Sequence, residues 1–309
     1  MTGDSISALE KYRELNATIF RLYAADRQHE ALALLDEPLP GLEPWRAELA
    51  HLRACLHGSV GEHQEALEAL AAAHAAGSWW DPRILVEDDD LAGLTEFEGF
   101  GALVESSRAR WEHANESLDR SGDRLALPAA PPRGLVVALH GAEEDADDAM
   151  AAWRPATSRG FAVLAVRSSQ RTSPNYRTWP DATRAAAEIA DAHRSLGEGL
   201  RHLPVVAAGF SAGGRVALRW ALTGDPQQVA GVIAVAPAVS ADDLPRPGVD
   251  GALLPALLVV GEDDDLADDV GEVASKLAPD GFTLDVVPGV GHCFPDDFPE
   301  RLAAALDAV

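Results

Sequence analysis

At residues 203–214 the chain reads LPVVAAGFSAGG, a short apolar run that ends in the pattern Gly-x-Ser-x-Gly around Ser211. A helix-like run from Arg215 to Leu222 follows. This order predicts a buried strand, a tight turn that raises the serine hydroxyl above the edge of a sheet, and a helix. Glycines flank the serine because side chains there would collide with the neighbouring helix and strand. The N–H of Ala212, at the helix start, is then available to a negatively charged oxygen.

The length and composition indicate a globular protein of two domains, since a chain of 309 residues is longer than a domain with a single hydrophobic core usually is. The two cysteines, Cys55 and Cys293, make no disulfide framework. No apolar run is long enough to span a bilayer, and no signal segment follows Met1. We therefore predict a cytoplasmic protein.

The net charge of -25 limits the classes of partner. Such a surface repels the phosphates of nucleic acids and the headgroups of anionic membranes, so we expect neither as a partner. The acidity is most simply a contribution to solubility. Neutral or cationic molecules remain the plausible ligands.

Residues 1–115 form the first predicted domain, which is helical and contains an internal repeat. The segment HEALALL at 29–35 is echoed by QEALEAL at 64–70, and the offset of 35 residues is close to the period of helix–turn–helix repeats. The small residues Ala54, Ala66 and Ala73 make this part resemble a tetratricopeptide repeat, without its consensus tryptophan. Two interpretations are open: the helices bind a protein partner in a groove, or they pack on the next domain and shape its substrate entrance.

Asp88-Asp89-Asp90 is predicted to be a solvated turn, because flanking residues with metal-ligand spacing are missing. No metal site is expected. Proline-rich residues 116–133 are predicted to be a linker that contains the first strand.

Residues 134–309, together with that first strand, show short apolar runs that alternate with helical patterns. The predicted strands are 124–127, 134–139, 161–166, 204–209, 231–236, 256–260 and 282–287. The predicted helices are 147–158, 181–196, 212–223, 266–278 and 298–308. Continuous Val/Ala/Leu runs indicate strands covered on both faces, hence a mostly parallel sheet whose site lies beyond the carboxyl ends of the strands.

Three further strands end in polar sequences at that edge. They are followed by His140-Gly141-Ala142, by Gly261-Glu262-Asp263-Asp264-Asp265 and by Gly291-His292. With Ser211, the strand ends offer Ser, Asp and His in that chain order, which is the order of an α/β-hydrolase.

On these motifs, residues 123–309 resemble the α/β-hydrolase superfamily, in particular compact esterases of the carboxylesterase, phospholipase and dienelactone-hydrolase kind. The resemblance implies an α/β-hydrolase fold preceded by an all-α helical-repeat domain. It implies Ser211 as nucleophile, His292 as base and Asp264 as the acid that orients it, with Asp263 and Asp265 open as alternatives. No cofactor is implied.

The same resemblance assigns the oxyanion hole to the backbone N–H groups of Ala142 and Ala212. It leaves His140 a structural role, and Cys293 is interpreted as a packing residue. The loop directly after Ala142 is rich in acidic residues, namely Glu143, Glu144, Asp145, Asp147 and Asp148.

The loop at 167–181 follows a predicted strand and should therefore lie at the rim of the site. It suggests a substrate clamp in which Tyr176 and Trp179, with Phe210 of the elbow, contact the acyl or alcohol group and Arg171 binds an anionic substituent. The alternative is local charge balance and loop packing.

The sequence therefore predicts a serine hydrolase that cleaves a small-molecule carboxylic ester, or a thioester, through an acyl-Ser211 intermediate. A peptidase or an acyltransferase on the same triad is one alternative. A non-catalytic helical-repeat adaptor with a degenerate hydrolase domain is the other.

Overall fold

The computed structural model describes residues 8–116, 122–242 and 255–308. The chain divides into two compact units. One consists of Met1–Glu116 with Arg171–Tyr176, and the other of Ser117–Gln170 with Arg177–Val309. Part of the predicted linker, 117–121, and the first seven residues of the predicted helical domain lie outside the described residues.

The first unit is helical. Its helices are α1 (Ala8–Ala24), α2 (Gln28–Asp36), α3 (Arg46–Ser59), α4 (His63–Ala75), α5 (Pro82–Val86) and α6 (Phe100–Asn115), with a 3-10 segment at Asp89–Glu96. The two echoed sequences lie in α2 and α4, each the second helix of a successive pair. The small residues Ala54, Ala66 and Ala73 are buried in its core. A tetratricopeptide relationship stays a prediction.

Residues 171–176 belong to this helical unit by their contacts. The buried carboxylate of Glu48 in α3 accepts the N–H of Asn175 at 3.0 Å. The indole of Trp111 in α6 donates to the carbonyl of Arg171 at 2.7 Å. The tip of the loop predicted from residues 167–181 is thus anchored by polar side-chain groups of α3 and α6.

The second unit contains one seven-stranded sheet. Its strands are β1 (Arg124–Ala126), β2 (Gly134–Leu139), β3 (Phe161–Val166), β4 (Val205–Phe210), β5 (Gly231–Val235), β6 (Ala256–Gly261) and β7 (Phe282–Val287). Its helices are α7 (Ala146–Trp153), α8 (Ala182–Arg194), α9 (Glu198–Arg201), α10 (Ser211–Thr223), α11 (Ala267–Leu277) and α12 (Phe298–Asp307). The seven strands agree with the predicted ones to within one residue at each end.

The sheet order is β1-β3-β2-β4-β5-β6-β7, and every pair is parallel except β1 with β3. Alternate residues of each strand enter different cores: Leu135 and Val137 pack on one face, and Val136 and Ala138 on the other. This two-sided burial is why the strands read as continuous apolar runs. The chain moves from β2 outward to β3 and returns to β4, so the order reverses between β2 and β4, where open α/β sheets form their sites.

The predicted helix at 147–158 differs from the structure. The α-helix α7 ends at Trp153, and a 3-10 segment at Arg154–Arg159 continues it, with proline at its second position. Proline lacks the N–H that an α-helical turn would use. Within the described ranges, no helix has the length and apolar character needed to cross a membrane.

Candidate active site

The turn between β4 and α10 holds Ser211 in a strained conformation. Ser211 is the first residue of α10 and has a backbone φ of 49°, a value that residues other than glycine rarely adopt. A Cβ at Gly209 would lie 2.3 Å from the carbonyl oxygen of Gly213, and a Cβ at Gly213 would lie 2.4 Å from that of Leu139. The glycines are therefore required because the turn packs directly on its own helix and on β2.

Three side chains form a continuous hydrogen-bonded relay at the carboxyl ends of β4, β6 and β7. The Nε2 atom of His292 lies 3.0 Å from Ser211 Oγ, and its Nδ1 atom lies 2.9 Å from Asp264 Oδ2. Ser211 and Asp264 are buried, whereas the His292 side chain is 41% exposed. The imidazole thus bridges a buried acid and a hydroxyl while one side of the ring stays open to a reactant.

The loops after β6 and β7 bring the acid and the histidine together. A Cβ at Gly261 would lie 2.0 Å from the carbonyl oxygen of Val290, so only glycine admits this approach. The N–H of Asp263 donates to the same carbonyl at 2.9 Å. Asp264 also accepts the N–H of Leu266 at 2.9 Å on its second oxygen, which fixes the carboxylate.

Among the three neighbouring aspartates, Asp263 and Asp265 are exposed and Asp264 is buried against His292. The sequence left this choice open, because the direction of each side chain in the loop depends on its packing with the loop after β7.

The turn after β2 is held by two specific hydrogen bonds. Gly141 donates its N–H to Glu144 Oε2 at 2.7 Å, and Glu143, with a φ of 65°, donates its N–H to the carbonyl of Arg177 at 2.9 Å. Between them, Ala142 has an N–H that bonds no backbone acceptor in the described ranges. Ala212 is the second residue of α10, and the N–H groups of a first helical turn have no partner within the helix. Both N–H groups can therefore serve an incoming oxygen.

His140 is fully buried and connects the loops after β2 and β3. Its Nδ1–H donates to the carbonyl of Gly141 at 2.7 Å, and its Nε2 accepts the N–H of Ser168 at 3.1 Å. Loss of solvent on burial lowers the pKa of His140 to about 4. The ring therefore stays neutral near pH 7 and acts as a structural connector.

An aromatic cluster adjoins the imidazole of His292. The ring of Phe210 lies 5.1 Å from the imidazole and stacks on Phe294 at 4.8 Å. Phe294 in turn contacts Phe298 and Trp153 at 4.9 and 6.0 Å. Phe210 is buried, and its predicted contact with substrate stays a prediction. Phe294 was not singled out from the sequence, although its position two residues after His292 was an available signal.

The predicted clamp residues of the 167–181 loop belong to different units: Arg171 and Tyr176 to the helical unit, and Trp179 to the unit with the sheet. Trp179 is 1% exposed, and its indole N–H donates to the carbonyl of His140 at 2.8 Å. Tyr176 belongs to the helical unit, where its ring packs edge-on against Trp45 at 6.1 Å. Arg171 belongs to the same unit. The clamp at Arg171 and Tyr176 stays a prediction, and a buried Trp179 fits packing instead.

Two further findings differ from the sequence interpretation. Cys293 is exposed, so the prediction of a packing role for it is wrong. Glu188 of α8, which was not singled out, is buried and accepts the hydroxyl and the N–H of Ser169 at 2.5 and 3.3 Å. Burial raises the pKa of Glu188 above its usual range. A glutamate in an amphipathic helix carries no local signal of such a role.

Family comparisons agree with this arrangement of strands and loops. Residues 11–115 match the model described as "A/B hydrolase-like, N-terminal domain", and residues 130–254 match the one described as "Serine aminopeptidase, S33". Two stretches of the chain thus match hydrolase family models, and the fold is the α/β-hydrolase fold, with a mostly parallel seven-stranded sheet and a helical N-terminal part.

Among solved structures, the chain is similar to an uncharacterized protein from Bacillus cereus ATCC 10987, with 26% identity, a TM-score of 0.50 and coverage of 96% of this chain and 98% of that one. It is also similar to a monoacylglycerol lipase from Paleococcus ferrophilus, with 20% identity, a TM-score of 0.46 and coverage of 60% and 97%. A phospholipase/carboxylesterase from Dyadobacter fermentans DSM 18053 has 17% identity, a TM-score of 0.46 and coverage of 62% and 98%. No curated protein matches the chain.

Proposed function

We propose that the protein is a serine hydrolase that cleaves a small-molecule carboxylic ester through an acyl-Ser211 intermediate. One observation carries the proposal: His292 lies within hydrogen-bond distance of both Ser211 Oγ, at 3.0 Å, and Asp264 Oδ2, at 2.9 Å. A serine hydroxyl is a poor nucleophile until a neighbouring base takes its proton during attack. The match of residues 130–254 to a hydrolase family model supports the same assignment.

In the first half of the reaction, Ser211 Oγ attacks the ester carbonyl while its proton passes to His292 Nε2. The carbonyl π electrons move onto oxygen, and the N–H groups of Ala142 and Ala212 donate to that oxyanion. The intermediate collapses, the carbon–oxygen bond to the alcohol breaks, and His292 returns the proton to the departing oxygen. The products of this half are an alcohol and an acylated Ser211.

In the second half, a water molecule gives one proton to His292 and adds to the acyl carbonyl. The same oxyanion contacts form, the bond to Ser211 Oγ breaks, and His292 reprotonates the serine. Asp264 takes no proton in either half. Its carboxylate keeps hydrogen on Nδ1 and stabilises the imidazolium by charge.

The surroundings of the site favour an uncharged or cationic substrate with an apolar portion. The partly exposed ring of Phe294 stacks on the buried ring of Phe210, which adjoins His292, and gives this end of the site an apolar surface. The loop that carries Ala142 continues into Glu143 and Glu144, whose charges oppose an anionic substrate in a chain of net charge -25. A neutral ester of a short or aromatic acid fits both features. Given its burial, we propose a packing role for Trp179 in place of substrate contact.

A second candidate is cleavage of an amide at the amino end of a peptide. Similarity of residues 130–254 to the serine aminopeptidase family favours it, and the acidic loop after Ala142 could attract an ammonium group. The same relay would serve both reactions, so the substrate decides between them.

The test is labelling of the full chain by a fluorophosphonate, which reacts with activated serines. Wild type should label rapidly, and Ser211→Ala and His292→Ala should abolish labelling. Ser158→Ala and His202→Ala, which change exposed residues of the same types, are matched controls and should label like wild type. Folded wild type that fails both to label and to hydrolyse p-nitrophenyl esters would contradict the proposal.

The rates on p-nitrophenyl butyrate and on alanine p-nitroanilide then separate the two candidates. Faster turnover of the ester, lost in Ser211→Ala, supports an esterase. Turnover of the anilide that exceeds that of the ester would favour the aminopeptidase.

A further inference from the structure

We propose that His51, Cys55 and Asp88 of the helical unit bind one transition-metal ion of the zinc class. Their three ligand atoms lie within 4.8 Å of one another. His51 and Cys55 are four residues apart on α3, so their side chains share one face of that helix. Asp88 precedes the 3-10 segment at Asp89–Glu96 and caps its first turn. The sequence did not predict this site, because the third ligand is far from the other two along the chain.

The spacing of the atoms is close to that of a tetrahedral zinc site. Zn–S bonds of about 2.3 Å and Zn–N and Zn–O bonds of about 2.0–2.1 Å give edges of roughly 3.3–3.6 Å in a regular tetrahedron. Cys55 Sγ lies 3.4 Å from Asp88 Oδ2. His51 Nε2 lies 3.9 Å from the same oxygen and 3.9 Å from Cys55 Sγ. Movements of a few tenths of an ångström would close the set around an ion.

The backbone is built to bring Asp88 against α3. A Cβ at Gly58, one turn after Cys55, would lie 2.0 Å from the carbonyl oxygen of Asp90, so only glycine lets the turn come this close. Asp88 Oδ1 accepts the N–H of Asp90 at 3.0 Å, which aims Oδ2 at the thiol. The hydroxyl of Tyr23 from α1 donates to Asp90 at 2.9 Å and fixes the turn from the other side.

The histidine is also oriented as a ligand would be. His51 Nε2 lies 3.2 Å from the carbonyl oxygen of Ile84, which can accept its hydrogen. Nε2 also faces Cys55 Sγ and Asp88 Oδ2 at 3.9 Å each, so an N–M bond would replace its hydrogen bond to Ile84 and the ring hydrogen would move to Nδ1.

The donor set determines the class of ion. Thiolate and imidazole select zinc-like transition metals, whereas magnesium and calcium require mostly oxygen ligands. On binding, the Cys55 thiol loses its proton to solvent, and an S–M bond replaces the S–H···Oδ2 hydrogen bond. Water completes the coordination, since the side chains of His51 and Asp88 are 20% and 28% exposed. The ion would join α3 to the segment after α5 and stabilise the helical unit.

Cobalt titration of the chelator-treated full chain tests this site by absorption, independently of any catalytic activity. One equivalent of Co²⁺ should produce a thiolate-to-metal charge-transfer band, and Zn²⁺ should remove it by displacement. Cys55→Ser should abolish the band, and Cys293→Ser, which changes the exposed second cysteine, should retain it. Asp88→Asn should weaken Co²⁺ binding by about tenfold or more, whereas Asp89→Asn should leave it unchanged.

A folded wild-type chain that gives no charge-transfer band at stoichiometric Co²⁺ would overturn the proposal. So would a band that survives Cys55→Ser or disappears in Cys293→Ser. Circular dichroism of each variant establishes whether it is folded. If one variant is unfolded, the Co²⁺ titration of the wild-type chain still tests the proposed metal site.

Discussion

Acidification of the medium should destabilise the hydrolase unit through one buried residue, His140, which hydrogen bonds to Gly141 and Ser168 in its neutral form. The pKa of His140 is about 4 in the folded protein, below an ordinary value of 6.5, because burial disfavours its charged form. The perturbation is His140→Gln. Glutamine can donate to a carbonyl and accept an N–H, but it does not titrate.

The magnitude follows from the difference in proton uptake between the two states. As the pH falls below about 6.5, the unfolded chain binds a proton on this histidine, whereas the folded chain does not until about pH 4. A pKa lowered by burial therefore contributes nothing above pH 6.5 and reduces the free energy of unfolding as the pH falls towards 4. The full effect is about 3 kcal/mol, at 1.36 kcal/mol per pH unit.

The assay is urea denaturation of wild type and His140→Gln at several values between about pH 7 and about pH 4. The variant can be less stable at neutral pH, but its loss of stability on acidification should be smaller than that of wild type by about 3 kcal/mol. His202→Gln, which changes an exposed histidine, should follow the wild-type curve. If wild type and His140→Gln lose the same stability over this range, His140 is not kept neutral by burial and the reasoning fails.

Three further changes test the site and the core. Asp264→Asn should lower kcat about 10³–10⁴-fold, since the amide supports the wrong tautomer of the base, while the exposed neighbour Asp265→Asn should stay within about twofold in ester turnover assays. Gly213→Ala should destabilise the fold by about 2 kcal/mol or more in thermal unfolding, because its methyl group would lie 2.4 Å from backbone oxygens at the end of β2, whereas Gly199→Ala enters open space and should not. Trp80→Phe should cost about 1–2 kcal/mol in urea denaturation, because the buried indole loses its hydrogen bond to a carbonyl of α3.

Much of the hydrolase fold could be predicted because its determinants are local. Each central strand is a continuous apolar run, since helices cover both faces of the sheet, and such runs are visible without any long-range information. The elbow at Ser211 was equally visible, because each of the two glycines near the serine is required by a close approach to another part of the backbone. The carboxyl ends of parallel strands meet at one edge, so polar residues after β2, β4, β6 and β7 were expected to gather there.

Local sequence could not decide features that depend on packing between distant segments. The choice of Asp264 over its neighbours depends on how the loop after β6 meets Val290 in the loop after β7. The sequence of the loop at 167–181 predicts one continuous segment at the rim of the active site. In the structure, the tip of this loop is held by buried Glu48 and by Trp111 of the helical unit. No local pattern announces which polar group a buried carboxylate will bind.

The sequence by itself determined the order of strands and helices, the elbow serine, and the candidate acid and base, because periodicity and turn chemistry act over a few residues. Only the tertiary structure decided which carboxylate faces His292, that Trp179 is core, and that His51 and Cys55 meet Asp88. The first and the third of these outcomes follow from close approaches at Gly261 and at Gly58, where the absence of a side chain lets two remote backbones touch. Contacts of this kind arise when the chain packs, and they therefore belong to the fold as a whole.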